Sequence, residues 1–145
     1  MGKFKFKFES LLQVKEILEK RLQEEISAID REIEEYRYQL FIVINERNDI
    51  ESKMIDHAMK VGEFQSTKMY DSLLEKKVLS IQKTIGNLQR KKEVKKTELI
   101  EKRKELKVFE TLKENQREAF FIEEGRAEMK ELNDIAVRNY SRNMQ

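Results

Sequence analysis

The chain has 145 residues, 40% of them charged, with one His, no Cys, no Pro, no Trp and a formal net charge of +2. This composition excludes cysteine nucleophiles and a histidine-rich metal centre, and its helix-forming, proline-free character points to long helices instead of a wide apolar core. The longest apolar run, Leu40 to Ile44, is five residues, where a membrane span needs roughly 20; neither membrane insertion nor a secretory leader is expected, and the absence of Cys fits a reducing compartment.

Residues 1–8 alternate Lys3, Lys5 and Lys7 with Phe4, Phe6 and Phe8, which reads as an extended segment with one aromatic face. Ser10 is a candidate N-cap for a first helix over about 10–61. Its stripe opens with Leu11, Val14, Leu18 and Leu22, and two successive steps of four around Leu22 read as a stutter. From Leu22 the stripe steps by three and four through Ile26, Ile29, Ile33, Tyr36, Leu40, Val43, Arg47, Ile50, Met54, His57 and Val61. That is a coiled-coil seam, which one helix cannot satisfy alone.

Gly62 is the expected helix stop, with a turn over 62–66 and a second helix over about 67–142 capped by Ser66 or Thr67. A second stripe follows: Tyr70, Leu74, Val78, Ile81, Ile85, Leu88, Lys92, Lys95, Leu99, Lys102, Leu106 and Phe109. Gly86 within it weakens the helix by about 1 kcal/mol relative to Ala. The spacing thus predicts an all-α fold, a single long antiparallel two-helix coiled-coil hairpin over 1–145. Facing residues with an index sum of 128 bring both stripes into phase, Met54 with Leu74, Arg47 with Ile81, Ile33 with Lys95. The same pairing sets the acidic run Glu24 to Glu35 beside the basic run Lys92 to Lys104. It leaves the second helix overhanging by roughly 25 residues, about 40 Å. Phe120, Phe121, Ile122, Met129, Leu132, Ile135, Ala136 and Tyr140 form an apolar stripe there, uncovered unless the N-terminal phenylalanines reach it.

Chemistry has little support. No Gly-rich phosphate loop occurs, His57 is one potential ligand and not a site, and exposed helices provide no pocket to shift a pKa. No catalytic residue, cofactor or metal is expected. The basic stretch Arg90 to Lys96 is diluted by acids and lacks interleaved aromatics, so pairing with the acidic helix accounts for it better than nucleic acid does. Phe41 and Ile42 lie off the seam, as do Leu73 and Leu79, and exposed apolar residues at such positions mark a contact surface.

The segment Leu106 to Leu112 and the run Glu123-Glu124-Gly125-Arg126-Ala127-Glu128-Met129-Lys130-Glu131-Leu132-Asn133-Asp134-Ile135-Ala136 resemble the signature of the FliJ family, small coiled-coil proteins of the bacterial flagellar type III export apparatus. Phe4-x-Phe6-x-Phe8-x-x-Leu11-Leu12-x-x-Lys15-Glu16 resembles the family's opening, while Asn133 stands where the family has an acid. The resemblance implies a non-enzymatic central stalk, cytoplasmic and peripherally associated with the inner face of the cell membrane. Its partners would be the hexameric export ATPase, the cytoplasmic domain of the export-gate membrane protein, and export chaperones that it escorts. The end carrying both termini would enter the ATPase ring through Phe120, Phe121, Arg126, Met129, Lys130, Leu132, Ile135 and Tyr140. The gate would meet the hairpin body at Phe41, Ile42, Tyr70, Leu73, Lys77 and Leu79, with Lys77 replacing an apolar residue of the family's spacing. The alternatives from the residues alone are a generic coiled-coil adaptor, a self-assembling bundle and, third, a nucleic-acid-binding hairpin.

Overall fold

A computed structural model describes residues 2–56 and 58–144. It contains two helices, α1 (Glu9–Asp56) and α2 (Val61–Met144), and no strand among the described residues. They pack against each other as an antiparallel hairpin, as the seams require. His57, expected in the seam or at the tip, lies outside the described residues.

α1 ends at Asp56 and α2 already begins at Val61, ahead of the turn expected over 62–66. Gly62 has no positive φ and sits in the first turn of α2. There the backbone N–H groups lack helical partners in any case. Lys60 starts the helix, its carbonyl accepting the Phe64 N–H at 2.9 Å. Thr67 is no cap; its hydroxyl donates to the Glu63 carbonyl one turn back at 2.8 Å. Ser10 is also inside its helix, and the Phe8 carbonyl accepts the Leu12 N–H at 2.9 Å. The first helical hydrogen bonds are thus accepted by Phe8, two residues ahead of Ser10, and by Lys60, six residues ahead of Ser66.

The chain divides into two compact units, each holding a stretch of both helices. In the unit of residues 20–100, Ile29, Ile33, Val43, Leu74, Val78, Ile81 and Ile85 are buried, with Tyr36, Leu40, Ile50 and Leu88 packed against them. Full burial of each such side chain is worth ~1.5–3 kcal/mol. Inter-helix ion pairs fix the register: Lys95 with Glu25 at 3.0 Å, Lys92 with Asp30, and Arg47 with Asp71 at 3.1 Å and Glu75 at 3.5 Å. Their index sums are 118–122, one heptad below the expected 128. Stripes that repeat every seven residues stay in phase after such a slip, so apolar spacing alone cannot choose between the two registers. The charges choose. The slip removes Arg47 from opposite Ile81 and places it beside two carboxylates of α2. The acidic and basic runs still face each other, through Glu25 and Asp30.

In the unit of residues 1–19 and 101–145, Phe6, Leu12 and Leu106 are buried, with Phe4, Phe109 and Leu112 against them. Leu12 is 3% exposed and Leu11 43%, so the seam runs through Leu12 and not through Leu11 and Val14. Lys15 and Glu19 continue it, and the steps of three and four then run unbroken from Leu12 to Met54. The stutter disappears because polar residues hold two seam positions. Lys15 reaches Glu105 at 3.0 Å and lies 5.2 Å from the Phe109 ring centre, while Arg103 meets Glu19 at 3.0 Å and Lys113 meets Glu9 at 2.8 Å.

Candidate docking surfaces

The N-terminal segment is irregular, with a turn at Lys7 and Phe8, and lies along α2 beyond the start of α1. Phe6 is buried, Phe8 stands edge-on to Phe109 at 6.2 Å and Phe4 lies 5.7 Å from Phe120. The Gly2 N–H donates to Glu124 Oε1 at 2.9 Å. Phe120 is therefore half-covered from within the chain, and it also makes an edge contact with Phe121 at 5.5 Å.

Every described residue after Glu124 is exposed. At 100° per residue, Ile122, Gly125, Met129, Leu132, Ala136 and Tyr140 fall within about a quarter of the helix circumference. Leu106, Phe109, Lys113 and Phe120 lie about half a turn away. The N-terminal phenylalanines therefore cover the opposite side of α2 from this stripe. Phe121 and Ile135 border it, and the Arg117 guanidinium lies 5.7 Å from the Phe121 ring. Arg126 stands on its other border, whereas Lys130 points toward the charged back of the helix. Of the eight residues expected at this end, six thus line or border one apolar stripe, Phe120 faces the N-terminal segment, and Lys130 stands apart.

The residues expected to form the second surface separate. On one flank of the seam, Glu34 and Arg37 meet Gln89 and Glu93 around a shallow depression. On the other, Asp49 and Glu46 meet Ser66 and Tyr70. The seven-residue repeat carries Phe41 and Leu79 onto the first flank, and Ile42, Leu73 and Lys77 onto the second beside Tyr70. All six are exposed, but they make two surfaces. On the second, the Tyr70 hydroxyl donates to Glu46, which pushes its pKa above the ordinary phenol value and keeps it a donor.

A further apolar surface escaped the spacing argument. Leu11, Val14 and Ile17 of α1 are exposed, and so is Val108 of α2. The signal was present: reading Lys15 and Glu19 as seam residues moves Leu11 and Val14 outward. Among the described residues there is no group of acidic or His side chains that could hold a metal ion. No helix there is long and apolar enough to cross a membrane.

The profile of the family described as "Flagellar FliJ protein" matches residues 4–145. A "Flagellar FliJ protein" of Bacillus subtilis (strain 168) is 27% identical over 140 residues, which cover 94% of this chain and 95% of that protein. No solved structure matches significantly.

Proposed function

Because the chain belongs to the FliJ family of flagellar proteins, we propose that it is a non-enzymatic central-stalk component of the type III export apparatus. Its bare α2 end docks into the hexameric export ATPase, its body contacts the cytoplasmic domain of the export gate, and it escorts unloaded export chaperones. It works in the cytoplasm, held at the inner face of the membrane by the apparatus and not by insertion. The observation that supports this reading is the uncovered stripe from Ile122 to Tyr140, on a helix that continues for twenty described residues after its last contact at Glu124. Water against such a stripe forfeits about 25 cal/mol for each Å² that a partner would cover. A rod without symmetry, placed in a ring of identical subunits, cannot satisfy all of them equally, and so biases hexamer assembly and ATP turnover.

The test mixes the purified chain with its cognate ATPase and follows hexamer formation and hydrolysis. Stimulation by the full chain, and its loss with Met129→Asp plus Leu132→Asp, is the expected result. Stimulation that survives the double substitution places docking elsewhere. Chain lengths for this test should end after Glu124, since an earlier stop removes Phe120 and Glu124 and releases the N-terminal segment.

A further inference from the structure

Gly125 sits inside α2 with nothing within 4 Å of where its Cβ would be, and no glycine has a positive φ. Neither close packing nor backbone geometry within the chain calls for a glycine there, although glycine weakens a helix interior. It lies on the uncovered stripe, one step in from Ile122, and eleven positions later the stripe carries its other small residue, Ala136.

We infer that the bare ends of two copies of this chain pair antiparallel along this stripe. In that arrangement Gly125 faces Ala136 of the partner copy, Met129 faces Leu132, and Ile122 faces Asn139. Each relation occurs twice about a two-fold axis, as an isologous interface requires. The two small layers flank the central Met129 and Leu132 layers and let the helices approach closely. Charge favours the same direction. Ile122 to Glu131 holds four acids and two bases, and Leu132 to Arg142 holds one acid and two bases. Antiparallel pairing sets the acidic half against the basic half, whereas parallel pairing sets the acidic halves together. A contact of nineteen residues along one helix covers less than the ~1,200 Å² of total surface typical of stable complexes, so the pair dissociates on dilution. This inference stands independently of the docking reading above. If both hold, the pair must open before the stripe can dock.

The chain has no cysteine, so the test introduces them. In the full chain, Gly125→Cys with Ala136→Cys should give a covalent dimer under mild oxidation at high concentration. Either substitution alone should not, because the two copies of one position then lie about 16 Å apart along the axis, beyond the ~7 Å limit for a disulfide. Sedimentation of the cysteine-free chain should move from monomer toward dimer as concentration rises, and Gly125→Leu should weaken that association at least tenfold while raising helicity. A chain that stays monomeric, single variants that crosslink as fast as the double, or a dimer that survives Met129→Asp plus Leu132→Asp would each overturn the pairing.

Discussion

Arg47 occupies a seam position of α1, and its Nε donates to Asp71 Oδ1 at 3.1 Å across the hairpin. The hydrogen bond to Asp71, with the nearby Glu75 and Glu51 carboxylates, raises the guanidinium pKa against a smaller opposing effect of burial. This polar layer is the register key of its unit. Replacing Arg47 and Asp71 together by Leu should leave melting unchanged or raise it, since this pair is part-buried and apolar isosteres often match or better charge pairs withdrawn from water. It should also admit the register one heptad away. Spin labels at positions 43 and 78 would then report two distances where the parent chain gives one.

Ile33→Asp should cost roughly 2–4 kcal/mol, the range for lost core packing and an unpaired buried charge. In the observed register Ile33 packs in the apolar cluster near Leu88, not opposite Lys95, and the cations that line the same depression, Lys92 and Arg37, are already paired with Asp30 and Glu34. A thermal melt unchanged from the parent would contradict its burial.

Phe41→Ser and Ile42→Ser should each change stability by less than ~0.5 kcal/mol, as substitutions of exposed side chains do. Because the two lie on opposite flanks, they should affect gate binding unequally. Equal losses from both, measured by titration calorimetry against the gate's cytoplasmic domain, would mean that a partner wraps both flanks.

Glu105 accepts from Lys15 and lies near Lys102, which holds its carboxyl below the usual carboxylate range. A depressed folded pKa adds stability that is present above the unfolded value and lost as pH falls through the folded one. The melting difference between the parent and Glu105→Gln should therefore be present at pH 7. It should shrink as acid titrates the carboxyl, from below about pH 5 downward. A difference that is constant with pH would assign the effect to packing.

Periodicity made the helices legible, since Leu74, Val78, Ile81 and Ile85 lie buried where the stripe placed them. It misplaced the register because a repeat of seven is blind to a slip of seven. Gly62 invited a stop, but a glycine in a helix's first turn costs little. Only the polar seam members distinguish the registers, and the apolar count treats Lys15, Glu19 and Arg47 as blemishes. At the bare end, sequence identified the apolar residues but not the half-turn between their stripe and the face taken by Phe4. That relation requires knowing which side of α2 the N-terminal segment follows.

The last twenty described residues of α2 hold their helix with no tertiary support beyond Glu124. Helices of that length in water are governed by propagation and fraying, not by burial. Amide protection should decline along them toward Met144, while the seam amides exchange orders of magnitude more slowly. Any partner that grips this end also completes its coil-to-helix transition. Capture should therefore show a favourable enthalpy opposed by ordering entropy, the signature of coupled folding, and should weaken with warming more steeply than its contact area implies.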